Sequence, residues 1–87
     1  MPRISFFHGI SILMFSNEGG HSTAHFHAWY AEHKASLAFD GTVVAGSLPP
    51  AQLRLVREWA SLHEAELVAN WTRARQRERL QQIDPLA

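Results

Sequence analysis

Apolar and polar residues alternate along residues 3–16, the pattern that puts successive side chains on opposite faces of a β-strand. One face carries Ile4, Phe6, His8, Ile10, Ile12 and Met14, and the other carries Ser5, Phe7, Gly9, Ser11, Leu13 and Phe15. The pattern predicts one long strand, or two strands bent at Gly9, with the first of these faces toward the core. The polar, glycine-rich run at 16–20 then predicts a loop.

Three further strands are expected before residue 46. Residues 24–30 predict a strand with two different faces. Phe26, Ala28 and Tyr30 should pack against a helix, and His25, His27 and Trp29 should lie on the other face. Glu32 and His33 predict a turn into a strand over 34–40, whose inward residues are Ala35, Leu37 and Phe39. Asp40-Gly41 is a strong hairpin signal, and it leads to a strand over 42–45.

The second half of the chain has the apolar spacing of an amphipathic helix, from about residue 50 to about residue 76. Its stripe recurs at steps of three and four: Leu53, Val56, Ala60, His63, Leu67 and Trp71. Ser61 and Glu64 have the spacing of a capping box, so a break into two helices near residue 61 stays open. The stripe keeps its phase across that point, which favours one helix. Residues from about 80 to 87 are expected to form a tail.

These elements predict a single α+β domain over residues 1–87, a small antiparallel sheet of three to four N-terminal strands packed by a long C-terminal helix. The strands should span about 3–46. The expected core joins five residues of the helix to five of the sheet. They are Trp59, Leu55, Val56, Leu62 and Leu67 on the helix, and Ile4, Phe6, Ile10, Leu37 and Phe39 on the sheet.

Composition limits the function more than the fold. The 87 residues include no Cys, which excludes disulfides, thiolate metal sites and a nucleophilic cysteine. The formal net charge is zero, so nucleic-acid binding is not expected, or only weakly. No apolar run reaches the roughly 18 residues of a membrane span. The apolar start of the chain lacks the cleavage pattern of a signal peptide, so we expect a cytoplasmic location without a membrane partner.

A pair of histidines on the 24–30 strand is the first candidate functional site. His25 and His27 should lie on one face with about 6.5–7 Å between their Cα atoms. Two neutral imidazoles at this spacing can bind one divalent transition metal, with His21 or His8 as a third ligand. The pattern therefore admits a metal site, either catalytic or accessory.

The same strand also admits catalysis without a metal, or simple binding. His25, His27, Tyr30 and Lys34 could supply the acid, base and charge stabiliser of RNA cleavage. Trp29 beside the two histidines is typical of a partner-binding patch. A plain solvent-facing strand surface is the remaining interpretation.

Two other groups of residues have structural interpretations. His63 lies within the helix stripe and is expected to be a neutral core histidine, bonded to backbone or to Tyr30, or else to join the strand histidines. Four arginines recur every second residue and form no single helix face, so they suit the end of a helix, where cations complement its dipole. They are Arg73, Arg75, Arg77 and Arg79. A phosphate-binding tail is the alternative interpretation.

Several motifs together carry a family resemblance. They are Pro2-Arg3-Ile4-Ser5, His25-Phe26-His27 followed by Tyr30, Leu48-Pro49-Pro50 running into residues 53–60, Leu62-His63, Asn70-Trp71 and Ile83-Asp84-Pro85-Leu86. The combination resembles the bacterial domain-of-unknown-function family 4160 over nearly the whole chain. One departure is Thr23-Ala24, where that family often has Pro-Pro before the histidine motif.

The resemblance implies a genetic setting and no reaction. Members are similar in setting to toxin–antitoxin modules, often beside a second small protein of family 2442, which resembles a DNA-binding module. We therefore expect a toxin-like, protein-binding component whose partner is that neighbouring protein, and self-association stays open. The alternatives are a small His-dependent nuclease or metal-assisted hydrolase, and a non-catalytic metal-binding domain.

Overall fold

The computed structural model describes residues 2–15 and 23–87, and they form an α+β fold. Within these two ranges, five antiparallel strands follow one another across a single sheet in chain order. They are β1 (Arg3–Phe7), β2 (Ile10–Leu13), β3 (His25–Tyr30), β4 (His33–Ala38) and β5 (Val43–Gly46). Two helices follow, α1 (Pro50–Leu62) and α2 (Glu64–Arg75). The predicted class is confirmed, but the sheet has five strands where three to four were expected, and two helices replace the single long one.

The fifth strand arises because residues 3–16 form a hairpin. His8 and Gly9 both have positive φ, 51° and 79°, as the central residues of a type I′ turn require. An irregularity in the β1–β2 register between Arg3 and Ser5 shifts the alternation of β1. Phe7 is therefore buried and Phe6 is 51% exposed. The prediction that Phe6 and His8 face the core is wrong for this reason.

The next two turns also determine the register. Ala31 and Glu32 form the β3–β4 turn, with Ala31 at φ 52°, so His33 already pairs with Tyr30 as the first residue of β4. The expected turn at Glu32 and His33 is thus one residue too late. The Asp40-Gly41 turn is present, and the backbone N–H of Thr42 donates to Asp40 Oδ1 over 2.9 Å.

The helical half breaks at His63, which has φ −126° and ψ 27°. The hydroxyl of Ser61 donates to the carbonyl of Glu58, and no side chain caps the first turn of α2. The capping box is therefore not formed. The apolar stripe stays in phase through the break, which is why the sequence pattern favoured one helix. Leu62, the last residue of α1, is 65% exposed, so its predicted burial is wrong.

Both helices pack on one face of the sheet, which we call the core face. Trp59 is fully buried there, and its ring lies 5.5 Å from that of Phe7 and 5.8 Å from that of Phe26, centroid to centroid. Other predicted core residues are buried in the same cluster. They are Ile4, Ile10, Leu37, Phe39, Val56 and Leu67, while Leu55 is partly buried against them. No helix in the described ranges is long and apolar enough to cross a membrane.

Residues 78–87 contain no helix or strand, but they pack along the domain. The amide of Asn70 donates to the carbonyl of Gln81, and its Oδ1 accepts from the N–H of Gln81. Trp59 Nε1 donates to the carbonyl of Asp84 over 2.8 Å. The N–H of Ile83 donates to the carbonyl of Ile4 over 2.8 Å, which places this segment along the outer edge of β1.

Candidate functional site

The face of the sheet opposite the helices carries most of the residues singled out in the sequence. We call it the outer face, and it includes Leu13, His25, His27, Trp29, Lys34 and Ser36. The register places Trp29 directly opposite Lys34, and His27 between Leu13 and Ser36. His25, His27 and Trp29 are partly exposed, whereas Phe26 and Ala28 of the same strand are fully buried on the core face. The predicted division of this strand into two faces therefore holds at these positions.

Aromatic rings form a continuous row across the outer face. The aromatic row runs through Trp71, His25, His27, Phe15 and Trp29. Centroid distances between neighbours along it are 5.4, 5.1, 4.9 and 6.4 Å. Edge-to-face and tilted ring pairs at such distances are mutually attractive. Because each ring is held by the next, the row presents a preformed aromatic surface.

Both histidines of the row have a defined partner at Nδ1. His25 Nδ1 lies 2.7 Å from the carbonyl oxygen of Thr23, so Nδ1 carries a proton and donates it. In the neutral ring, Nε2 then carries the lone pair. His27 Nδ1 lies 3.2 Å from the hydroxyl of Ser36 on the neighbouring strand. These bonds fix the orientation of both rings on the sheet.

A cation and a depression adjoin the Trp29 end of the aromatic row. The ammonium of Lys34 lies 4.4 Å from the centre of the Trp29 ring, a cation–π contact. Beside them is a shallow depression of about 280 Å³. Its walls include Phe15, His27, Trp29 and Lys34, and the small residues Ala35, Ser36, Ala45 and Gly46 complete it. This end of the outer face can therefore accept an apolar group beside a positive charge.

The four candidate catalytic residues do not come together on one face. His25, His27 and Lys34 are on the outer face. Tyr30 packs against the core and stacks on His33, with 6.5 Å between centroids and 16° between ring planes. The sheet therefore separates the Tyr30 hydroxyl from the three other side chains. Acid–base chemistry on the outer face would use the histidines and Lys34.

Of the metal ligands proposed from the sequence, the structure brings only His25 and His27 together among the described residues. The rings of His25 and His27 are neighbours, and His21 lies outside the described residues. His8 is exposed in the β1–β2 turn, which the register puts at the Tyr30 end of β3, so it is remote from His25. Within residues 2–15 and 23–87, no three His, Cys, Asp or Glu side chains converge on one point.

His63 has a different partner from the one expected. Its Nδ1 lies 2.5 Å from Glu66 Oε1, one turn further along, and its ring packs 5.6 Å from that of Trp59. The expected bond to Tyr30 is therefore not formed, and a carboxylate on the neighbouring helix takes its place. His63 therefore lies at the junction between α1 and α2 and contacts both helices.

Phe15 and Trp71 belong to the aromatic row, but neither was among the candidate site residues predicted from the sequence. Phe15 shares the alternating face of Leu13, so the period-two pattern already placed it with the outer face. Trp71 was assigned to the helix stripe, and it does contact Phe39 of the core, with 6.1 Å between centroids. Its second contact, with His25, depends on where α2 crosses the end of the sheet, which no local pattern encodes.

Comparison with known proteins identifies a family. No curated protein and no solved structure matches this chain. Residues 9–72 match the family described as Domain of unknown function (DUF4160). That range contains β2 to β5, α1 and most of α2, together with the His25-Phe26-His27 motif, and it is well over half of the sequence. The resemblance noted in the sequence is confirmed, and the chain belongs to the DUF4160 family.

Proposed function

We propose that this chain is the protein-binding, toxin-like component of a bacterial two-gene module similar to toxin–antitoxin systems, and that it binds its partner through the outer face. The partner is the small protein encoded by the neighbouring gene, resembling family 2442. The observation that carries the proposal is the aromatic row, with its adjoining depression, on the face opposite the one on which Trp59 packs; α2 reaches the row only at its His25 end, through Trp71.

Physical reasons support binding at this face. Trp29 is partly exposed with an apolar wall on one side and the Lys34 ammonium on its ring. Tryptophan is enriched among the residues that dominate binding energy, because it buries a large area at a low entropic cost. The ring contacts hold Phe15, His27 and Trp29 in place, so little side-chain freedom is lost when a partner covers them.

Co-expression with the neighbouring gene tests the proposal. A tagged form of this chain should retain the neighbouring gene product through purification, at a fixed stoichiometry. The matched control is the same expression with an unrelated tagged protein of similar size. If the two proteins never associate, the proposed function is wrong.

The second candidate is a small His-dependent nuclease or a metal-assisted hydrolase on the same face. It is favoured by the adjacent rings of His25 and His27, with the His25 tautomer fixed by the Thr23 carbonyl, as in many catalytic and metal-binding histidines. Growth arrest on expression of this chain alone, relieved by the neighbour and lost on His25→Ala, would support chemistry. Arrest that survives His25→Ala would support binding alone.

A further inference from the structure

The two edge strands of the sheet, β1 and β5, differ in what lies along them. At β1, the C-terminal segment occupies the edge. The backbone N–H of Ile83 donates a hydrogen bond to the carbonyl of Ile4, and the side-chain amide of Gln82 donates one to the carbonyl of Arg3. β5 lies at the other end of the sheet, where its only neighbouring strand among the described residues is β4. An edge strand presents a row of N–H and C=O groups that can pair with another extended chain.

The depression on the outer face adjoins this second edge. Ala45 and Gly46 belong to β5 itself and line the depression together with Trp29 and Phe15. A strand added to β5 would continue the sheet, so every second side chain of the added strand would extend over the outer face. An apolar side chain in that position would lie over Ala45 and enter the depression from its β5 side.

The positive charge of Lys34 sets a second requirement for the segment that binds here. Lys34 is exposed, and across residues 2–15 and 23–87 no carboxylate forms an ion pair with it. Among the described residues, its ammonium contacts the face of the Trp29 ring, which leaves its charge available to an anion. A carboxylate two residues from the apolar side chain would lie on the same face of the added strand, two strand spacings from Lys34. The long Lys34 side chain spans that distance when it turns from the Trp29 ring toward β5.

We propose that β5 binds an extended, acidic segment of the protein partner by strand addition, with one apolar side chain in the depression and a carboxylate at Lys34. This inference rests on the proposed function and names the way in which the partner binds. A second copy of this chain fits less well, because its own β5, Val43–Gly46, carries no carboxylate. The register irregularity between β4 and β5 also adds twist, which disfavours pairing of two identical edges.

Selection from a display library of random octapeptides tests the inference without knowledge of the partner. Peptides with an apolar residue and an Asp or Glu two positions away should be enriched. Their binding should weaken by about tenfold or more in Lys34→Glu, because a like charge then meets the carboxylate. Arg54→Glu, the same charge change at an exposed position of α1, is the matched control and should leave binding unchanged.

Hydrogen exchange gives an independent readout. Amides of β5 should become protected from exchange when a selected peptide binds, because an added strand forms hydrogen bonds with the backbone along the outer edge of β5. Enrichment of basic peptides or of no pattern, equal binding by Lys34→Glu, or unchanged exchange in β5 would each overturn the inference. The two proposals fail separately. A partner that co-purifies without protecting β5 removes strand addition alone, and selected peptides without any co-purifying partner remove the two-gene function alone.

Discussion

Ser5 is a buried residue with an unsatisfied polar atom. It is 4% exposed on the sheet, and its hydroxyl has no hydrogen-bond partner among the residues that the structure describes. A buried hydroxyl without a partner loses its bonds to water on folding and gains none in return. We expect Ser5→Ala to increase the free energy of unfolding, by about 1 kcal/mol, in chemical denaturation. Ser36→Ala is the control, since it removes a bond to His27 and should destabilise. Equal destabilisation by both variants would show that Ser5 does have a partner.

Asp40 gives the fold a small dependence on pH. The backbone N–H of Thr42 donates to its carboxylate and lowers the pKa of Asp40 below the usual 3.8. A lowered pKa in the folded state means that the ionised form stabilises the fold. This contribution is complete above pH 3.8 and is lost as the pH falls through the lower folded-state value. Asp40→Ala should therefore lower the denaturation midpoint at about pH 7, and the difference should shrink at about pH 3. A constant difference across this range would contradict the assignment.

At the scale of single residues, the sequence predicted burial well where the alternation was undisturbed. In β3 the period of two runs without interruption, so the burial of Phe26 and Ala28 and the partial exposure of His27 were all predictable. Phe6 was not, because a register irregularity in β1 reverses its direction. Such irregularities depend on cross-strand pairing, which one strand's pattern does not contain.

At the scale of elements, Trp59 connects three parts of the fold. Its ring packs on Phe7 and Phe26 of the sheet, and its Nε1 bonds the Asp84 carbonyl of the C-terminal segment. Trp59→Ala should cost about 3–5 kcal/mol, a large share of the stability of a small domain. Trp59→Phe keeps most of the packing and removes the bond, so about 1 kcal/mol is expected. Both are measured as changes in the free energy of unfolding. An unchanged melting temperature in Trp59→Ala would contradict the packing described.

Helix periodicity predicted where α1 and α2 bury their apolar stripe, but not that they are separate helices. The break at His63 keeps the phase of the stripe, and the bond between His63 and Glu66 forms at the junction. The Asn70 contacts with Gln81 were also beyond prediction, because the two residues meet only after the chain reverses direction. Long-range polar contacts of this kind leave no periodic signal.

At the scale of the whole molecule, we propose that the outer face binds a protein partner and expect it to hold no resident metal. Among the residues that the structure describes, the neighbouring rings of His25 and His27 offer two ligands, whereas zinc sites in proteins use three or four protein ligands. We therefore expect the melting temperature of the isolated protein to stay unchanged on addition of Zn²⁺ or Ni²⁺. A rise that His27→Ala abolishes, or one equivalent of metal retained through purification, would instead support a metal site.

We propose that a protein partner covers the outer face at Trp29. The most direct measurement is the affinity of the neighbouring gene product for the unaltered chain, for Trp29→Ala and for Leu62→Ala. Leu62 is a matched control, because it is an exposed apolar residue on the helices. We predict that Trp29→Ala weakens binding about thirtyfold, the effect of losing about 2 kcal/mol at an anchor residue, while Leu62→Ala binds like the unaltered chain. Equal affinity for all three proteins would contradict the account.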